Sequence, residues 1–291
     1  MKHIIIFFLM LLGVLPSGYG LDWKNLHEAA DKIDISQAVS AVEKSPDSVN
    51  DLYVLALVYL NVHQDNEAES AFVKIAKLSP EVVEAQWGLA EVYRRKHNVH
   101  DAETMLEAVV VSHPRFAPAH ISLGYIKYNK MEFERAVSLA SEVIRQGKDN
   151  VDLSNYVRAY LLTAGSKGMI AHYGGPLSKL INGTSVLSTL KKAESLQPDA
   201  AAVLFGLGSF YLLAPSLAGG NLQKAQVYLE KALHADPGFV DIYVRLAQVY
   251  QRKGDSAQYE QYLGKALAID PQNELVLDIK SNTCKFVCAA D

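Results

Sequence analysis

The chain has 291 residues, 49% of them apolar and 21% charged, with 18 Gly and 10 Pro. That composition excludes a disordered tail, a collagen-like chain and a disulfide-dense miniprotein, and it leaves enough apolar side chain for a large core. A formal charge of −4 gives no basic field to draw the whole chain to nucleic acid, and 2 cysteines make no disulfide framework.

Residues 1–20 read as an export signal. Lys2 supplies a positive charge, residues 4–15 (IIIFFLMLLGVL) an apolar run, and Gly18 and Gly20 the small residues of a cleavage site. A run of that length makes a helix of about 18 Å, short of a hydrocarbon core of about 30 Å. Cleavage after Gly20 is expected, giving an exported, periplasmic product. No later stretch has the length and apolarity of a membrane span. Residues 21–48 then form a capping segment.

A ruler of 34 residues follows. Pro46, Pro80 and Pro114 are spaced by 34, as are Pro237 and Pro271, and each ends an apolar helical stretch. Proline lacks the N–H and disfavours helix in the residue before it, so it stops each helix at a fixed place. Phasing on the prolines gives six units: 49–82, 83–116, 117–150, an interrupted one from about 151, one from about 201, and 240–274. The seventh position reads Leu55, Leu89, Leu123, Val157, Leu207 and Leu246, and the eighth Ala56, Ala90, Gly124, Arg158, Gly208 and Ala247. The eleventh holds Tyr59, Tyr93, Lys127, Leu161, Tyr211 and Tyr250. The twentieth gives Ala68, Ala102, Ala136, Val186, Ala225 and Tyr259, and the twenty-seventh Ala76, Val109, Val143, Ala193, Ala232 and Ala266. Small residues at positions eight and twenty let two helices approach closely. Leucine and tyrosine at seven and eleven share one helix face. A single hairpin cannot bury both faces, so hairpins stack.

Unit four is longer than its siblings. Pro114 to Pro198 spans 84 residues where two units need 68, and the excess lies in 165–183 (GSKGMIAHYGGPLSKLING), with five glycines. Glycine at that density predicts a loop, not a longer helix. Such a loop is either a binding element or a surface decoration. Thr184-Ser185 is expected to cap the helix that follows, and Asn221 to cap another after the Gly219-Gly220 turn. Cys284 and Cys288 end the chain four residues apart. A bridge there requires a loosened helix end, and free thiols or a link between chains are the alternatives.

The L-G-x-x-Y, A and P columns resemble the tetratricopeptide repeat. The resemblance implies an all-α fold, an α-solenoid of about six helix hairpins with one long glycine-rich insertion. It divides the chain into units over 49–164, the insertion 165–183, further units over 184–273, and a capping helix with a cysteine tail over 274–291. It further implies a concave groove that holds a protein or peptide. Groove-facing positions carried over from the family are Tyr53, Asn61, Trp87, Glu91, Arg94, Arg95, Tyr125, Tyr128, Asn129, Asn155, Phe205, Ser209 and Gln248. Rings bury area there and amides pair with a backbone. Tyr53, Trp87 and Phe205 are also read as packing between hairpins. The Pro215, Gly219, Gly220 turn is similar to that of the accessory component of TRAP-type transporters, which implies an oligomer partnered with a solute-binding protein.

Chemistry is sparse. HExxH, P-loop, G-x-S-x-G and paired CxxC motifs are absent. His97-x-x-His100-Asp101 has a chelating spacing but falls in a polar turn. Arg94-Arg95-Lys96 is either a solvated helix end or an acidic-ligand contact. No enzyme, cofactor or resident metal is expected.

Overall fold

The computed structural model describes residues 21–286. The expected signal at 1–20 and Cys288 lie outside the described residues. Two short helices come first, α1 (Trp23–Ala30) and α2 (Ile35–Lys44). Three regular hairpins follow: α3 (Val49–Asn61) with α4 (Asp65–Leu78), α5 (Val83–Arg95) with α6 (Val99–Ser112), and α7 (Ala117–Asn129) with α8 (Phe133–Gln146). The fourth pairs α9 (Leu153–Tyr173) with α11 (Thr184–Leu196), joined through the single turn α10 (Pro176–Ser178). The fifth is α12 (Ala201–Leu213) with α13 (Leu222–Ala235), and the sixth α14 (Val240–Arg252) with α15 (Ser256–Ile269). Helix α16 (Glu274–Lys280) caps the stack. No strand occurs among the described residues, and the fold is an all-α solenoid.

The column pattern is the packing. Ala56, Ala90, Ala247, Ala68, Ala102, Ala136 and Ala225 are all fully buried. A Cβ on Gly208 would lie 2.7 Å from Leu229 Cγ, so this eighth position admits no side chain between α12 and α13. Two phase assignments shift. In the first unit the buried residue of the twenty-seventh column is Ile75, not Ala76. In the fourth, α9 begins at Leu153 under an Asp152 cap, and the fully buried small residue is Ala159, one position after Arg158. Lys127, standing where tyrosine recurs, is neutralised by Glu103 at 2.6 Å and Glu107 at 2.9 Å on α6.

The insertion is helical, against expectation. α9 runs two turns beyond its siblings, straight through Gly165 and Gly168. Its return begins at Pro176, passes through a π turn at Lys179–Gly183, and continues without a break into α11. Packing on both sides carries the helix through these glycines: a Cβ on Gly165 would sit in ordinary contact with the Tyr128 ring at 3.6 Å, and one on Gly183 with Ala171 at 3.5 Å. Thr184 consequently caps nothing and bonds back to the Leu180 carbonyl at 2.7 Å. The Asn221 cap forms as expected, accepting from Lys224 N at 2.9 Å.

The extended α9 also bends the stack round on itself. Met169 and Ile170 share one apolar cluster with Val240 and Val244 of α14 and Phe133 of α8. The turn of the first hairpin also meets the end of α13, and the turn of the second meets the end of α15. His63 bonds Asp236 at 3.0 Å and His97 bonds Asp270 at 3.1 Å, two latches one repeat apart. His63 and His97 both have positive φ, 60° and 62°. That left-handed geometry closes each turn and aims the ring across the gap. Gly238 leaves room for the His63 ring, where a Cβ would collide.

Candidate functional site

The inner face of the stack is covered by the chain's own ends. Helix α1 starts where Asp22 accepts from Asn25 N, and it carries Trp23, Leu26, His27 and Ala30 at helical spacing on one face. That face turns inward and crosses the inner helices of four units. The Trp23 ring meets Phe116 edge-on at 5.5 Å. His27 lies 5.4 Å from the Trp87 ring, and its Nε2 is 2.9 Å from the Tyr53 hydroxyl. Its Nδ1 faces the Asn155 amide at 3.4 Å. Asp31, ending the helix, accepts from Ser154 at 2.5 Å and Asn61 at 3.3 Å. Burial, offset in part by Asp152, holds the His27 imidazole below its ordinary pKa, so the ring is neutral in place.

A charged band follows along the inner face. Glu91 accepts from Arg94 Nη2 at 2.6 Å and Arg95 Nε at 3.1 Å. Burial would raise this carboxyl, but the two guanidinium groups hold it well below the usual carboxylate range. Arg95 also donates to Leu60 O and Asp65, and Arg94 lies over the Tyr125 ring at 5.8 Å. Lys96 pairs with Glu69 at 2.5 Å. The Arg94-Arg95-Lys96 spot is thus paired within the chain. The half-buried Asp241 carboxyl of α14 is raised by desolvation, with the hydrogen bond from Asn273 and the charge of Arg245 opposing.

The tail after α16 completes the cover. Asp278 gathers Lys285 N at 2.7 Å and Phe286 N at 2.8 Å. This presses Phe286 flat on Tyr128, ring centroids 5.8 Å apart, and brings Lys285 Nζ to the Asn129 carbonyl at 2.6 Å. Burial pushes the Tyr128 hydroxyl up to about 12. Arg245 donates to Phe286 O at 3.2 Å and to Gln248 at 2.7 Å. Cys284 is disulfide-bonded.

The predicted groove residues therefore divide. Tyr53, Asn61, Trp87 and Asn155 contact α1 or its end. Tyr128 and Asn129 contact the tail. Glu91, Arg94, Arg95 and Tyr125 form the band between them, and Gln248 sits beside it. Tyr53, Trp87, Asn155 and Gln248 are buried, against the expectation of an open groove, because the termini fold back over them. Phe205 packs on Phe239 at 4.8 Å between hairpins, the second of its two expected roles. The buried Ser209 hydroxyl has no partner among the described residues. Sequence reasoning missed Trp23, His27 and Asp31. A histidine on the apolar face of an amphipathic first helix was the available signal. His97 bonds Asp270, and among the described residues no group of three or more His, Cys, Asp or Glu is placed to hold a metal.

Comparisons agree with this architecture. The family described as tetratricopeptide repeat matches residues 216–282. A tetratricopeptide repeat protein from Parabacteroides merdae superimposes with a TM-score of 0.53 at 14% identity, covering 90% of this chain and 98% of that one. A chain of the APC/C hetero-tetramer Cut9-Hcn1 gives 0.55 at 17% identity, covering 91% of this chain and 49% of that one. No curated protein matches the sequence. The repeat columns are buried as hairpin contacts, residues 216–282, which hold α13 and the sixth hairpin, match the tetratricopeptide-repeat family, and the fold of the described residues is that of a tetratricopeptide-repeat solenoid.

Proposed function

We propose that this protein is a non-catalytic scaffold of the cell envelope that grips a helical segment of a partner protein on the inner face of its first four hairpins. The observation that carries the reading is α1 itself: a short amphipathic helix already lies there, held by a ring, an imidazole and a carboxylate. A partner segment takes the same place when it presents an aromatic residue, a hydrogen-bonding side chain one turn later and an acid at its end. Large aromatic anchors surrounded by amides suit such recognition. The export signal expected at 1–20 supports the envelope location.

The test uses a synthetic peptide of residues 21–34 and the protein carrying Trp23→Ala with His27→Ala, which frees the inner face. Fluorescence anisotropy of the labelled peptide is expected to show saturable binding to this variant and none to the unaltered protein. Adding Trp87→Ala is expected to abolish it. Equal binding with and without Trp87→Ala, in a folded protein, refutes the assignment.

A further inference from the structure

The extension of the fourth hairpin ends in a tip whose polarity is inverted. Leu177, Leu180 and Ile181 stand at i, i+3 and i+4, so they share one helical face, and they are 69%, 64% and 61% exposed. The opposite face is polar and turned inward: Ser178 donates to Ile170 O at 3.0 Å, and Asn182 donates to Ser178 at 3.3 Å. A surface helix ordinarily does the reverse, and a cluster of large exposed apolar side chains marks a contact surface. The segment is locked in this orientation. Pro176 starts the turn, the π turn at Lys179–Gly183 follows, and Tyr173 at its base stacks on Phe133 and donates to Lys285 O at 2.8 Å. Inward collapse of the leucines is not available without unwinding the turn.

Charge selects what covers the tip. From residue 165 to 183 the sequence has no Asp or Glu, while it carries Lys167 and Lys179, in a chain whose formal charge is −4. Lys179 lies exposed between Leu177 and Leu180–Ile181, and Lys167 is half-exposed on α9. An apolar face with a tyrosine at its margin, lysines beside it and no carboxylate is the composition of an element that enters the headgroup layer of an anionic membrane. A second copy of this acidic chain offers less, since burying three apolar side chains is too small an area for a stable dimer. We propose that the tip formed by Tyr173, Leu177, Lys179, Leu180 and Ile181 docks this protein on an anionic lipid surface. The contact is peripheral: no helix of the described residues is long and apolar enough to cross a membrane.

The test is flotation of the purified protein with phosphatidylethanolamine–phosphatidylglycerol vesicles and with phosphatidylcholine vesicles. Binding is expected to the anionic vesicles, weakened by salt and much reduced on phosphatidylcholine. Leu177→Ser, Leu180→Ser and Ile181→Ser together are expected to lower partitioning about tenfold or more without lowering the melting temperature, because all three side chains are exposed. Lys167→Glu with Lys179→Glu is expected to lower it at least about fivefold per lysine. Unchanged partitioning of the triple variant overturns the proposal and assigns any lipid binding elsewhere in the chain. Absence of vesicle binding by the unaltered protein overturns it as well, as does a dimer in light scattering that the triple variant dissolves while vesicles remain bare.

Discussion

His27→Ala is the sharpest probe of the covered inner face. The side chain is 8% exposed and its Nε2 lies 2.9 Å from the Tyr53 hydroxyl, which is itself fully buried. Removing the imidazole leaves that hydroxyl with no partner, at a cost of about 1–3 kcal/mol. The lost ring contacts with Trp23, Tyr53 and Trp87 add about 1 kcal/mol. The better helix propensity of alanine returns less than about 1 kcal/mol. The sum is about 2–3 kcal/mol, and it falls on an eight-residue helix whose other polar anchors, Asp31 to Ser154 and Asn61, are exposed and individually weak. Helix α1 is therefore expected to undock while the hairpins stay folded. Hydrogen exchange read by mass spectrometry is expected to show a rise of about thirtyfold or more in amides 23–31, with the amides of α5 and α7 unchanged. His27→Gln, which retains a hydrogen-bonding group, is expected to recover part of the protection. Loss of protection spread evenly over the first three hairpins would refute the reasoning, because α1 would then be an inseparable part of the core. The same helix carries a pH dependence. The folded state holds His27 below its ordinary pKa, so its contribution is complete above about pH 6.5 and is lost as pH falls through the depressed value. Exchange of α1, corrected for intrinsic rates, is expected to accelerate on acidification.

Three further outcomes are expected. Gly208→Ala forces a Cβ to 2.7 Å from Leu229 Cγ and 3.2 Å from Leu229 N, and overpacking of about 1–3 kcal/mol exceeds the roughly 1 kcal/mol gain in helix propensity, whereas Gly264→Ala meets nothing within 4 Å and stabilises by up to about 1 kcal/mol; urea titration of both checks the opposite signs. Glu91→Gln strips the shared carboxylate from Arg94 and Arg95 in a site where Glu91 is 7% exposed, and it is expected to destabilise by about 3 kcal/mol; in the unaltered protein the Glu91 contribution is present above about pH 4.3 and fades as pH falls through its lower folded value, which acid titration by circular dichroism follows. His63→Asn with His97→Asn keeps the left-handed turns, which asparagine accepts, but removes both latches; small-angle scattering is expected to show a larger radius of gyration, with little change in melting temperature because these pairs are partly exposed.

The periodic part of this fold was open to reading from the chain alone. Proline after each helix, alanine where helices touch and leucine with tyrosine one turn apart are local demands of a hairpin, and they recur because each unit meets its neighbour in the same way. The Asn221 cap was legible for the same reason, since it answers only to the residues beside it. Three features were decided elsewhere. The glycines at 165 and 183 look like loop residues in one dimension, but each lies in a continuous helical path packed against a neighbouring helix, near Tyr128 and Ala171. His63 and His97 look like turn polarity, yet each finds its aspartate 173 residues away, where only the curvature of the whole stack brings it. The covered inner face was the largest departure. The expected groove residues Tyr53, Trp87 and Asn155 are buried where α1 folds back across them. Short-range periodicity fixes which surface a residue occupies. Whether that surface meets water or another part of the chain depends on contacts between residues far apart in sequence, and a repeat pattern carries no record of those.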